Sequence, residues 1–203
     1  MKTIATVCYL VLTGSLIANV LSLTRVPWRH RVMQAYVCVT PSDEHPLERA
    51  VPRALSKLQA YGAPPLAVYA TTDTKCLTEH LSDDFLFNTI GYAHTSTAAM
   101  TTLVYMGNRI DRFKISIDPT YSYSEETLHI ILMHELGHVY GLEHPFPHVD
   151  SVMGYTVNYD AQENMFLQLT YYDVFALTGS YTQALTAPAT LRSQRRACNL
   201  SFY

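Results

Sequence analysis

The segment from His134 to His144 constrains this chain of 203 residues more than any other part of it. It reads HELGHVYGLEH. Residues four apart lie on one face of a helix, so His134 and His138 can present two imidazole nitrogens to one ion, about 2 Å from each. Gly141 permits a left-handed turn that ends the helix, and the chain can then return so that His144 approaches the same ion. The sequence therefore predicts a helix, a turn and a metal centre of three histidines.

Glu135 follows the first of these histidines and can reach a water on the ion without binding the ion itself. Three neutral imidazoles leave a fourth position open for water, which distinguishes a catalytic zinc site from a closed structural one. Zinc lowers the pKa of its water to about 7, and a nearby carboxylate can take the proton as the oxygen attacks a carbonyl. We therefore expect one catalytic zinc ion, held by His134, His138 and His144, with Glu135 as the general base.

The first 22 residues have the composition of a secretory signal peptide. A lysine is followed by an apolar stretch from Ile4 to Ile17 and then by small residues suited to cleavage. Polar and small residues interrupt this stretch, which favours cleavage, whereas the arginines that follow residue 22 resist translocation. We expect residues 1–22 to be a signal peptide and the protein to be secreted. The alternative is a membrane anchor through residues 4–23, because the apolar character approaches the length that spans a bilayer.

The remaining composition fits one globular domain. Hydrophobic residues make up 48% of the sequence, which is enough for a core, and 14 Lys and Arg against 17 Asp and Glu give a formal net charge of -3. This balance gives no electrostatic reason to expect a nucleic-acid partner or a membrane surface. We expect a monomer with a single domain over residues 23–180, and a poorly ordered tail rich in Thr, Ala and Arg over residues 181–203.

Three cysteines remain once Cys8 has left with the signal peptide, namely Cys38, Cys76 and Cys198. In an oxidising compartment we expect one disulfide, and Cys38–Cys76 is the preferred pair because both residues lie inside the presumed domain. The alternative of three buried thiols stays open, because sequence alone does not assign pairing.

Strands are predicted where the chain is rich in β-branched, aromatic or other apolar residues, in the stretches 32–39, 65–70, 84–93, 101–105 and 113–117. Of these, 84–93 is an ambiguous apolar stretch that is predicted as a strand. Apolar residues at spacings of three and four predict a helix over residues 46–61. Pro52 removes a backbone donor there, so this helix is either kinked or begins later.

Two further helices are predicted in the second half of the chain. Ser122 and Glu125 form a capping-box pattern, which predicts the start of the helix that carries His134. Gly141 supplies the end of that helix. A last helix is predicted over residues 171–177.

Residues 134–144 match the metzincin signature HExxHxxGxxH at every fixed position, so the chain resembles this superfamily of zinc peptidases. The segment SVMGY, residues 151–155, resembles the metzincin Met-turn, in which a methionine, here Met153, forms a hydrophobic floor beneath the zinc ligands. Core filling describes Met153 equally well. Over residues 32–180 the chain is most similar to the matrixins, the matrix metalloproteinase family, through HELGHVYGLEH and the segment LTYYDV at 169–174.

This resemblance implies an α+β, metzincin-like zincin fold with a mixed, mostly parallel five-stranded sheet, one antiparallel edge strand and three helices. Residues 23–180 would then be the catalytic domain. An extended substrate would add to the sheet edge, and residues 155–164 would line the main specificity pocket. The implied function is that of a zinc-dependent metalloendopeptidase that hydrolyses peptide bonds of extracellular proteins, with proteins or peptides as its partners.

Two residues extend the resemblance with alternatives open. Tyr155 occupies the position where astacins and serralysins, unlike matrixins, have a tyrosine. Its hydroxyl can donate to the negative oxygen that develops in the reaction, which would make it catalytic beside Glu135, or the ring can simply pack. His94 follows a segment that is similar to one carrying a structural-zinc ligand in matrixins. The other ligands have no match, so we do not expect structural zinc or calcium and favour an ordinary surface or core histidine.

Three functions are compatible with the motif: an active endopeptidase, a zinc-binding protein that sequesters peptides, and a structural protein that retains the helix. A binding protein has no need of a general base, so Glu135 argues against sequestration. The three histidine ligands argue against a structural role. We therefore expect an endopeptidase.

Overall fold

A computed structural model describes Trp28, residues 33–39, 47–107, 109–144 and 152–153, and the backbone of residues 195–199. The predicted signal peptide, the alternative anchor and the predicted helix over 171–177 lie outside these residues. Within the described part of the chain, no helix combines the length and the apolar character needed to cross a bilayer.

The strands are β1 (Met33–Cys38), β2 (Leu66–Thr71), β3 (Thr89–Tyr92), β4 (Ala99–Met106), β5 (Arg109–Ile117) and β6 (Arg195–Asn199). They form a single sheet in the order β2-β1-β3-β5-β4-β6. The first three strands and β5 run parallel, and β4 runs antiparallel to β5. The predicted α+β fold with a mostly parallel five-stranded sheet is therefore confirmed for β1 to β5. The sequence did not predict β6, which pairs antiparallel with β4.

Three helices accompany the sheet: α1 (Leu47–Ala60), α2 (Thr74–Leu81) and α3 (Glu125–Val139). The predicted apolar face of α1 is buried and consists of Leu47, Ala50, Val51, Ala54, Leu55 and Leu58. Pro52 lies inside this helix on its exposed side, so the alternative of a later start is wrong. Proline at this position leaves only the carbonyl one turn earlier without its helical donor, and solvent can supply one there.

The start of α3 differs from its prediction by two residues. Ser124, not Ser122, is the N-cap, and its hydroxyl accepts a hydrogen bond from the backbone N–H of Thr127 at 3.0 Å. Glu125 and Glu126 then lie in the first turn, where negative charge complements the helix dipole. Both also form exposed ion pairs with arginines of α1, which contribute little to stability but agree with the packing of α3 against α1.

The burial of β4 alternates as expected for a strand with one covered face. Ala99, Thr101 and Leu103 are buried, whereas the residues between them are only partly buried. Since β4 contacts α3, the buried face of this strand is the one that reaches the helix carrying His134 and His138.

Helix α2 was not predicted, and the ambiguous stretch 84–93 forms a strand only over β3. Asp73 is the N-cap of α2, and its carboxylate accepts from the N–H of Lys75 at 2.8 Å. A disulfide joins Cys76 of this helix to Cys38 of β1, which is the pairing preferred from the sequence. The bond closes a chain segment of 38 residues and ties α2 to the sheet.

His80 is buried between α2 and the sheet, with a residual exposure of 1%. Its Nδ1 is 2.9 Å from the hydroxyl of Thr89, and its Nε2 has no partner among the described residues. A side chain on Gly91 would contact this ring, so β3 leaves no spare room beside it. Burial, followed by the nearby charge of Lys114, lowers the pKa of His80 to about 4. The imidazole is therefore neutral in the folded protein at neutral pH.

We predict that His80 makes the fold acid-sensitive between pH 6.5 and about 4. In the unfolded chain His80 takes up a proton near pH 6.5, whereas in the folded protein it does so only near pH 4. The stability from neutral His80 is therefore complete above pH 6.5 and is lost as the pH falls to about 4. The loss is about 3 kcal/mol for a shift of this size. Urea unfolding at several pH values should show a flatter pH profile for His80→Leu than for the wild type. Parallel profiles would contradict this prediction.

Candidate metal centre

Helix α3 supplies two of the predicted ligands from a buried environment. Every residue of this helix from Leu128 to Val139 is buried, and most of them are apolar. His134 and His138 have exposures of only 1% and 4%. Buried polar groups require partners, so the environment of each imidazole nitrogen shows what the centre can bind.

The end of α3 turns the chain back toward the centre. Gly141 has a φ of 85°, and its N–H donates to the carbonyl of His138 at 2.9 Å. The N–H of Leu142 donates to the carbonyl of Gly137 at 3.0 Å. These two bonds form a Schellman motif, whose left-handed position favours glycine. His144 follows three residues later, so the glycine predicted from the sequence is the residue that redirects the chain.

The structure brings the imidazoles of His134, His138 and His144 together. The Nε2 atom of His134 lies 3.1 Å from Nε2 of His138 and 3.1 Å from Nε2 of His144. Among the described residues, these three form the one cluster of ligand-type side chains whose donor atoms all lie within 4.8 Å of one another. Two nitrogens bound to one tetrahedral zinc at about 2.0 Å are about 3.3 Å apart, so the observed spacing suits a shared ion.

Two backbone carbonyls fix the orientation of the buried imidazoles. Nδ1 of His134 donates to the carbonyl of Val152 at 2.7 Å, and Nδ1 of His138 donates to the carbonyl of Leu142 at 2.8 Å. A carbonyl only accepts, so in the neutral rings the proton is on Nδ1 and Nε2 carries a bare lone pair. The short contact between the two Nε2 atoms is then not a hydrogen bond. A cation between them would satisfy both lone pairs, so these residues fit a metal ion.

Burial also keeps the three imidazoles neutral. It lowers the pKa of His138 to about 3, with a further contribution from the charge of His144, and it lowers the pKa of His144 to about 4. The pKa of His134 is well below its usual value for the same reason, and its two neighbouring imidazoles add to the effect. Metal ligands must be unprotonated, so burial prepares all three for binding at neutral pH. Imidazole donors suit zinc, copper, iron and nickel.

Glu135 lies in the same buried environment, with an exposure of 1%. Its Oε2 accepts a hydrogen bond from the hydroxyl of Thr101, whereas Oε1 has no partner among the described residues. Burial raises the pKa of this carboxyl to about 8, although the Thr101 hydrogen bond acts in the opposite direction. A cation at the nearby three-histidine centre would favour the ionised form.

Val152 and Met153 pack beside helix α3. Both are completely buried, and the carbonyl of Val152 is the acceptor for His134. The side chain of Met153 packs on Gly137, where a Cβ would overlap its sulfur and lie 3.1 Å from its terminal methyl. Gly137 thus leaves room for the methionine between the two turns that carry His134 and His138.

The other predicted site residues lie apart from this centre or outside the described residues. Tyr155 and the pocket segment 155–164 are not among the described residues. His94 is 79% exposed, and its Nδ1 is 3.7 Å from Asp118. Thr101 was not predicted as a site residue. Its place on the covered face of a predicted strand is the only sequence feature that points toward α3, and nothing local indicates its partner.

We predict that Gly137→Ala destabilises the protein although alanine favours helices by about 1 kcal/mol over glycine. The new methyl group would force Met153 to move within a fully buried site, and overpacking of this kind costs about 1–3 kcal/mol. Urea unfolding should therefore show reduced stability. Met153→Ala removes the overlapping atoms. The double variant with Gly137→Ala and Met153→Ala should therefore lose less stability than the two single losses added together. Strict additivity of the two changes would contradict the contact.

No family model matches this sequence, and no curated protein shows significant similarity to it. Function therefore has to be inferred from the chemistry of the three-histidine centre and Glu135.

Proposed function

We propose that this protein is a secreted zinc-dependent metalloendopeptidase of the metzincin type, most similar to the matrixins. One observation carries the proposal: three neutral imidazoles direct their Nε2 atoms to one point, beside a buried carboxylate with a free oxygen. A structural zinc site has four protein ligands, whereas three histidines leave a position for the reacting molecule. The mixed sheet and the buried cluster agree with the metzincin resemblance.

Each residue of the centre has a proposed role in the reaction. A zinc ion held by His134, His138 and His144 would supply Lewis acidity, which lowers the pKa of a water and polarises the substrate carbonyl. Glu135 takes the proton of the attacking water on Oε1, because Oε2 is engaged by Thr101. The same carboxyl then gives this proton to the leaving amine, so it ends the cycle ionised as it began. Tyr155 is proposed to donate to the developing oxyanion.

Secretion and the class of partner are part of the proposal. The disulfide between Cys38 and Cys76 supports an oxidising compartment, and residues 1–22 have the composition of a signal peptide. We propose proteins or peptides as substrates and a monomeric enzyme. An extended peptide can add to a sheet edge, and β4 is the strand whose covered face reaches Glu135.

The alternative is a zinc protein that sequesters peptides without cleaving them. The buried Glu135 argues against this alternative, because an ionisable group without a full set of partners is costly to bury. A binding site gains nothing from that arrangement. A hydrolytic site requires a carboxylate oxygen that is free to receive a proton.

We predict that Glu135→Gln abolishes cleavage while zinc remains bound. Glutamine keeps the shape of the side chain and the Thr101 contact but cannot act as a base. We therefore expect kcat to fall by about 10²-fold to 10⁴-fold. His138→Ala should lose zinc and activity together, because two ligands hold the ion poorly. His94→Ala, which changes an exposed histidine, should alter neither property. The measurements are zinc content after dialysis and cleavage of labelled casein.

The proposal fails if wild type and Glu135→Gln cleave casein at the same rate, since a contaminating protease or another mechanism would then account for cleavage. Bound zinc without any cleavage of casein or a peptide library would favour sequestration. Absence of zinc binding in the wild type would remove the metal centre itself.

We predict that removing β6 increases the cleavage rate. β6 pairs with β4, and Cys198 lies opposite Thr101 in the register, so a substrate strand that adds to β4 has to displace it. A chain ending at Gln194 should show a higher kcat/KM on casein, about tenfold if the pairing contributes about 1.4 kcal/mol. The matched control ends at Asn199, which keeps β6. Equal kcat/KM values for the two truncated chains would show that substrates use another path.

A further inference from the structure

Thr101 is the residue of β4 that contacts the proposed general base. It has an exposure of 1% and lies in register with Ile115 of β5, so the sheet holds its backbone. Its Oγ1 donates to Oε2 of Glu135 and lies 3.2 Å from the backbone carbonyl oxygen of the same residue. The two residues are 34 positions apart in the chain, so this contact joins the sheet directly to α3.

We propose that Thr101 is a positioning residue that holds the carboxyl group of Glu135 in one orientation throughout the reaction. This inference rests on the proposed function. The hydroxyl engages one carboxyl oxygen and leaves the other, Oε1, without a partner among the described residues. Thr101 therefore selects the oxygen that exchanges protons. A β-branched side chain suits this task, because its χ1 angle is restricted.

The hydroxyl can serve both states of the carboxyl that the reaction requires. When Glu135 is ionised, the Thr101 hydrogen is donated to Oε2. After Oε1 has taken the proton of the attacking water, Oε2 still accepts that hydrogen bond. The carbonyl of Glu135 is a second acceptor within reach of the same hydroxyl, at 3.2 Å. The hydrogen bond to Oε2 can therefore persist through each step, and no heavy atom has to move.

The neighbours of Thr101 on β4 offer no substitute for this contact. The buried neighbours of Thr101 on the covered face of β4, Ala99 and Leu103, have no polar side-chain atom. Glu135 without Thr101 would keep a buried carboxyl with two free oxygens instead of one. Its side chain could then rotate, and a displacement of 1 Å at a reacting group costs about 10²-fold in rate.

The test compares Thr101→Val, which removes only the hydroxyl function, with Thr101→Ser, which restores it. In zinc-loaded protein we expect Thr101→Val to lower kcat on a labelled peptide by about 10-fold to 100-fold, with KM and zinc content unchanged. Thr101→Ser should regain most of the loss. The matched control is Thr72→Val, because Thr72 is exposed and follows β2, the strand at the other end of the sheet order.

A second measurement is independent of cleavage. Infrared difference spectra of the zinc-loaded protein, assigned with Glu135→Gln, report the carboxylate stretching band of Glu135. We expect this band to shift in Thr101→Val and to return in Thr101→Ser. If the band does not shift in Thr101→Val, the proposal is overturned whatever the activity of that variant. A band that shifts while kcat is unchanged also overturns it. A loss of kcat that serine does not restore, or that accompanies loss of zinc, also overturns it.

The two proposals fail in different ways. If wild type and Glu135→Gln cleave the peptide equally, the proposed function fails and the positioning role falls with it, whatever the infrared band shows. If cleavage depends on Glu135 but not on the Thr101 hydroxyl, only the positioning role is overturned.

Discussion

Two hydrogen bonds from imidazole to backbone carbonyl determine what the centre of this protein can bind. His134 donates to Val152 and His138 donates to Leu142, so each ring keeps its proton on the side away from the other ring. The bare Nε2 atoms then face one another at 3.1 Å, a contact that a shared cation relieves. Without these carbonyls either ring could rotate or change tautomer, and the same three histidines would be an ordinary buried cluster.

The turn after α3 connects this constraint to the fold. Leu142 donates its N–H to the carbonyl of Gly137 and accepts the imidazole proton of His138, so one residue both closes the helix and orients a ligand. Trp28 donates its indole N–H to the carbonyl of Val139 and stacks on Tyr140 at a centroid distance of 5.0 Å, which covers the same helix end. The turn that ends α3 therefore also orients a ligand, so a change that frays the helix end would misplace the ligands as well.

The parts of the site that the sequence predicts are those set by local geometry. Helical periodicity places His134 and His138 together, and the conformational preference of glycine ends the helix after them. Helix α2 was missed because its eight residues bury only Cys76 and His80, too few for an apolar period. The capping-box pattern of Ser122 and Glu125 predicts a helix start at Ser122, whereas the backbone geometry makes Ser124 the N-cap of α3. Thr101 depends on strand register across 34 residues, which no local pattern encodes.

Burial acts on the acid and on the bases of this centre in one consistent way, since it favours the uncharged form of each. It raises the pKa of Glu135 to about 8 and lowers that of His138 to about 3. For the imidazoles the neutral form is the one that binds metal, so their burial prepares the site. For Glu135 the neutral form is inactive as a base. A divalent cation held by the histidines would reverse the preference of the carboxyl alone, because opposite charge nearby favours ionisation. In the proposed enzyme, metal binding would therefore both complete the core and produce its base, and the chain by itself would have little capacity for proton abstraction.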